Sequence, residues 1–108
     1  MANGWLGVAR CSLRRRELER AADAARNALA LTPIDTQAGL ILGTALLWLR
    51  DAGGAEEALQ KVLRRCPASQ PVRRLLVRVL RRLGRHDEAS ELERSGSQTQ
   101  HLDDVSQW

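Results

Sequence analysis

Apolar residues return along this chain at helical spacing, in six runs. Residues 3–16 place Trp5, Val8, Ala9 and Ser12 or Leu13 on one side, the i, i+3, i+4, i+7 stripe of a helix with one buried face. Residues 18–31 repeat the pattern with Leu18, Ala21, Ala22, Ala25, Ala28 and Leu29, and alanine combines high helix propensity with room for close packing. Thr32-Pro33 stops that helix, because Pro lacks the backbone donor and pushes the preceding residue out of helical conformation. Asp35 or Thr36 then caps a third helix over residues 36–50. It is apolar round most of its circumference through Leu40, Ile41, Leu42, Ala45, Leu46, Leu47 and Leu49, so it belongs in the middle of a stack. Gly53-Gly54 is expected to turn the chain into a fourth helix over 55–65, with Glu57 and Lys61 forming an i, i+4 ion pair on its exposed side. Cys66-Pro67 ends it, Ser69 is a candidate cap for a fifth helix running to about Leu83, and a sixth of barely two turns spans Asp87 to Arg94.

The runs are periodic at a longer scale. Ala21, Ala55 and Ala89 are 34 residues apart, and Pro33 and Pro67 keep the same interval. Frames beginning at Ala2, Thr36 and Gln70 also align Val8 with Leu42 and Leu76, and Leu29 with Leu63. A fixed period of this length marks a repeat architecture. The columns resemble the tetratricopeptide repeat (TPR), whose pattern runs through a Trp, a Leu-Gly pair, a small residue on the second helix and a closing Pro. Trp5, Ala21, Ala28 and Pro33 stand in those places in the first frame, and Leu42, Gly43, Ala55 and Pro67 in the second. The third keeps Leu76, Ala89 and a helix-separating Gly84.

That resemblance covers residues 3–94. It implies an all-α fold, a right-handed α-solenoid of antiparallel helix pairs (TPR-like). Residues 1–94 would form the repeat domain, with repeats 2–35, 36–69 and an incomplete 70–94. Residues 95–108 would be a polar tail, disordered or forming a short capping helix, with Leu102, Val105 and Trp108 three apart. The family's structural Trp is buried, so Trp5 is expected in the core.

Composition narrows this picture. With no Phe or Tyr among 108 residues, the core must be built from Leu, Val and Ala. Of 17 basic residues only Lys61 is lysine, which looks like the product of a GC-rich, bacterial genome, so only the placement of the arginines carries functional weight. Cys11 and Cys66 lie in unrelated columns with no CxxC, and two buried or half-buried free thiols are expected rather than a disulfide or metal site. The start has no secretory signal pattern, and no apolar run reaches the ~18 residues that would span a bilayer. A cytoplasmic setting without membrane insertion is therefore expected.

No catalytic constellation stands out. His86 and His101 fall in different elements, HExxH, GxSxG and phosphate-loop patterns are absent, and the paired glutamates fall on solvated helix faces. A non-enzyme with no cofactor and no metal is expected. The sharpest polar feature is the fifth helix, where Arg74, Arg78, Arg81 and Arg85 form one stripe with Arg82 beside it. In the family the first helix of each pair lines a concave surface that accepts a peptide or helix. Carried over by column, the resemblance implies a groove of Leu6, Arg10, Leu13 and Arg14, then Leu40, Thr44, Leu47 and Trp48, then Arg74, Arg78, Arg81 and Arg82.

Arginine forks pair bidentately with carboxylates, so the expected ligand is a protein or peptide segment of acidic and apolar character. The chain then reads as a non-catalytic protein-protein interaction scaffold: an adaptor, assembly factor or chaperone. Trp48 is either a binding hot spot or ordinary packing, and the stripe is either a site or a solvated helix face. Three alternatives stay open: an accessory segment of a larger enzyme, a homo-oligomer through uncovered helix ends, and, as a minor reading, nucleic-acid binding. Nucleic acid is disfavoured because no exposed aromatics interleave with the arginines. The acidic, apolar tail could cap the last repeat or enter the groove of its own or a second copy.

Overall fold

The structure, a computed structural model, describes residues 2–95. The expectations for the tail, including His101 and the Leu102, Val105 and Trp108 side, lie outside the described residues. Five helices, α1 (Ala2–Arg14), α2 (Leu18–Leu31), α3 (Thr36–Trp48), α4 (Ala52–Arg65) and α5 (Gln70–Arg82), are followed by α6 at 86–95. From α1 to α5 each helix packs against the next, and α1 also meets α3, as α3 meets α5. The even helices α2 and α4 make no such close approach to each other. Inner helices close together and outer helices spread apart give a curved stack of helix pairs, with α1, α3 and α5 on the inner side.

The 34-residue columns are the core. Ala21, Ala55 and Ala89 are fully buried, and Leu42, Leu46, Leu76 and Leu80 pack around them. Within the second repeat the helices approach through glycine. A Cβ at Gly39 would lie 2.8 Å from Val62 Cγ2, and one at Gly43 would lie 2.9 Å from Leu59 Cδ2. Leu59 is itself fully buried, so the Leu-Gly pair of the motif marks helix contact rather than a bend. Ala89 and a half-buried Leu92 tie α6 to the same core.

Every inner helix ends in the same way. Arg16 (φ 62°), Arg50 (φ 65°) and Gly84 (φ 81°) are 34 residues apart and all left-handed. After each, an amide reaches back five residues: Glu17 N–H to Ser12 O at 2.8 Å, Asp51 N–H to Leu46 O at 2.8 Å, and Arg85 N–H to Leu80 O at 2.9 Å. This is the Schellman closure, which usually takes glycine at the left-handed position. The turn before α4 is thus made by Arg50-Asp51, and Gly53-Gly54, expected as the turn, lies inside the helix. The cap decides the boundary: the Asp51 carboxylate accepts from the Gly54 amide at 3.0 Å. Asp35 does the same for α3, accepting from Ala38 N–H at 3.1 Å.

Two further expectations are corrected. Trp5 is 39% exposed and Val8 43%, whereas Leu42 and Leu76 of the Val8 column are buried. The outer side of α3 is covered by α2 and that of α5 by α4, while no described helix covers α1 there. Cys11 is exposed, and only Cys66 is half-buried, its thiol near the Ile34 carbonyl oxygen at 3.7 Å. No helix among the described residues is long and apolar enough to cross a membrane.

Candidate functional site

The inner face is built by α1, α3 and α5. Helical spacing puts Arg10 and Arg14 on α1, Thr44, Leu47 and Trp48 on α3, and Arg74, Arg78, Arg81 and Arg82 on α5. All are exposed except Thr44, which is half-buried, and Leu47, which is buried. Two contacts join neighbouring helices on this face, one of them between members of the set. The Arg10 guanidinium donates to Gln37 Oε1 across α1 and α3, and Leu47 and Arg82 share a recess of about 410 Å³ with Arg50 and Ala52. Trp48 is 48% exposed at the end of α3, with the Arg16 guanidinium carbon 5.7 Å from its ring centroid.

The expected stripe is shorter than its spacing suggested: α5 ends at Arg82, so Arg85 lies beyond the Gly84 turn and off the helix, and the arginines divide into two parts. Arg81 is held by Glu93 of α6. Arg85 is held by Glu88 and by Glu56 of α4, and these hydrogen bonds, Glu88 first and Glu56 second, raise its pKa further above the ordinary arginine value. Those two close the end of the stack. Among the described residues Arg74, Arg78 and Arg82 have no carboxylate within ion-pair distance. Arg73, next in sequence, turns instead to the Pro67 carbonyl oxygen at 2.6 Å.

A second feature escapes the column reading. Where α2 and α4 spread apart, a cleft of about 620 Å³ opens on the outer side. Leu29, Leu42, Leu46 and Val62 form its floor, and Arg26, Lys61, Arg64 and Arg65 its rim. Its 34-residue counterpart between α4 and α6 is smaller, about 480 Å³. The signal that would have found it is the substitution of Ala58 in one cleft for Leu92 in the other, a size difference at one column.

No protein-family model matches this chain, and no curated protein matches it. Solved structures do. A crystal structure of MamA superposes with a TM-score of 0.85 at 20% identity, over 94% of this chain and 55% of that one. A second MamA structure gives 0.86 at 19% identity, over 97% and 61%. The fold is that of a TPR-like repeat solenoid. An R50E mutant of MamA, at 0.77 and 18% identity over 90% of this chain and 71% of that one, has the same shape. This chain therefore spans a little over half the length of the first two structures it matches. At such identities the likeness is one of fold.

Proposed function

We propose that the inner face of α1, α3 and α5 binds an acidic segment with an apolar anchor from a protein partner, and that the chain works as a non-catalytic adaptor or assembly factor. One observation carries this reading: Arg74, Arg78 and Arg82 stand exposed on one helix without an acidic partner among the described residues, and the neighbouring helix α3 carries a half-exposed Trp48. Unsatisfied guanidinium forks favour carboxylates, most strongly where contact removes water. An indole on the neighbouring helix supplies the apolar area that binding hot spots use. Arg10 and Arg14 extend the basic character to α1.

The test is selection from a displayed random-peptide library, using the chain and its Arg74→Glu, Arg78→Glu double variant, with circular dichroism confirming equal helicity. The reading expects Asp- and Glu-rich peptides carrying Leu, Phe or Trp for the parent, and a shift toward Lys and Arg for the variant. Peptides without acidic bias, or peptides that bind both proteins equally, would refute it.

A second reading, self-association, is favoured by Trp5 and Val8, which are exposed on the side of α1 that corresponds to covered surface on α3 and α5. Light scattering separates the two. A mass above 12.0 kDa that Trp5→Ser with Val8→Ser returns to that value supports association through this surface.

A further inference from the structure

We propose that the outer cleft between α2 and α4 is a docking site for this chain's own acidic, apolar segment, residues 102–108. This inference is independent of the reading of the inner face. The molecule contains its own comparison, because the same cleft is built twice. Between α4 and α6 it is narrower, about 480 Å³, and more acidic: Leu92 stands where the first cleft has Ala58, Glu88 where it has Gly54, and Ser95 where it has Lys61. The first cleft keeps small residues at the positions that would fill it, and cations at its rim. Its volume of about 620 Å³ lies within the range of roughly 300–1,000 Å³ typical of sites that enclose a ligand group.

The rim selects the occupant by charge. Arg26, Lys61, Arg64 and Arg65 surround the opening. Glu57 answers Lys61 at 3.3 Å, and Asp23 answers Arg26 at 3.5 Å, which leaves Arg64 and Arg65 without an ion pair among the described residues. The segment HLDDVSQW sets Asp103 and Asp104 between Leu102 and Val105, with Trp108 three further on. Two carboxylates for the rim arginines and apolar side chains for the floor of Leu29, Leu42 and Leu46 match the site in chemistry.

The covalent path is short enough. Ser95 lines the second cleft together with Arg64, and Arg64 also lines the first, so the two clefts adjoin at one side chain. Leu102 follows Ser95 by seven residues, an extended reach of about 23 Å. Because the clefts share Arg64, the segment has only to cross that side chain to pass from one to the other.

The experiment uses the full chain with Trp5→Phe and Trp48→Phe, which leaves Trp108 as the one indole, and reads its emission maximum and its quenching by acrylamide. The expected result is a blue-shifted, protected Trp108. Ala58→Leu, which narrows the cleft as Leu92 narrows its counterpart, and Arg64→Glu with Arg65→Glu, which changes only the rim, each restore the emission and quenching of the free 96–108 peptide. Four results would overturn the proposal: a Trp108 as accessible in the parent as in that peptide; protection that survives both sets of substitutions; protection lost on dilution, which makes the occupant a second copy; or protection lost only to Arg74→Glu with Arg78→Glu, which places the segment on the inner face. Circular dichroism of each variant separates release of the segment from loss of the fold, and the rim pair keeps the test decisive if Ala58→Leu unfolds.

Discussion

Arg16 lies over the ring of Trp48, guanidinium carbon to ring centroid 5.7 Å, and so links the turn after α1 to the end of α3. The contact has a conformational cost, because Arg16 occupies the left-handed region at φ 62°, where a Cβ crowds the backbone. Arg50, one repeat later, carries the same φ penalty at 65° with no aromatic contact among the described residues. Gly84, in the third repeat, carries none.

Arg50→Gly is therefore expected to stabilise the fold by about 1 kcal/mol, the left-handed strain relieved less the extra freedom glycine has when unfolded. Arg16→Gly relieves the same strain but loses a cation–π contact of about 0.5–1 kcal/mol, so its net effect lies near zero. Urea denaturation of the two variants measures the difference. Equal shifts would mean that the Arg16–Trp48 contact contributes nothing to stability.

One substitution, Gly→Ala, should have opposite signs at two positions. Gly7 lies in α1 with nothing within 4 Å of an added Cβ, and replacing an interior helical glycine gains about 1 kcal/mol. At Gly43 the added Cβ would meet Leu59 Cδ2 at 2.9 Å, with Cδ1 and Cγ at 3.0 Å. Because Leu59 is fully buried, it cannot swing clear, and overpacking costs about 1–3 kcal/mol. Gly7→Ala should thus raise the melting temperature and Gly43→Ala lower it. A rise for both would show that α3 and α4 separate easily.

These comparisons also show what was legible from residues alone. The period, the buried alanine column and the helix-stopping prolines are local or one-dimensional signals, and they survive into the structure. The left-handed turns were hidden because two of the three positions are arginine, and the glycines that usually announce such a turn, Gly53 and Gly54, sit three and four residues downstream inside α4. Trp5 misled for a different reason: its column is buried only where a preceding outer helix lies against it. On the inner face, the placement of Arg74, Arg78 and Arg82 could be read from helical spacing. The capture of Arg81 by Glu93 and of Arg85 by Glu56 could not, since it joins residues 12 and 29 apart. The outer cleft depends on how far α2 and α4 diverge, and its one trace along the chain is the size difference between Ala58 and Leu92 at a single column.

The helix caps divide by side chain. Asp35 and Asp51 each accept an amide of the following turn, and Asp→Ala at either is expected to cost about 1 kcal/mol. Ser69 stands at the equivalent position before α5 but makes no side-chain cap bond, and Pro71 already presets the first turn of α5. Ser69→Ala should change stability by only a few tenths of a kcal/mol. Thermal denaturation of the three variants ranks them, and a Ser69→Ala loss as large as that of Asp51→Ala would show that its hydroxyl caps α5 in solution.

On the inner face, each of Arg74→Ala, Arg78→Ala and Arg82→Ala should weaken binding of an acidic, apolar peptide by about 0.5–1.5 kcal/mol, roughly 2- to 12-fold in Kd. Their guanidinium groups are exposed and uncommitted, so helicity and melting temperature should be unchanged. Arg20→Ala is the control, because Arg20 lies on α2 and is engaged by Glu17 at 3.1 Å; it should leave affinity intact. Raising salt from low to physiological concentration should weaken the parent complex more than the Arg78→Ala complex, since screening acts on charges that the variant has already lost. Titrations by fluorescence anisotropy at two ionic strengths measure the parent and all four variants. If Arg20→Ala weakens binding as much as Arg78→Ala does, the peptide responds to net charge rather than to a site on the inner face.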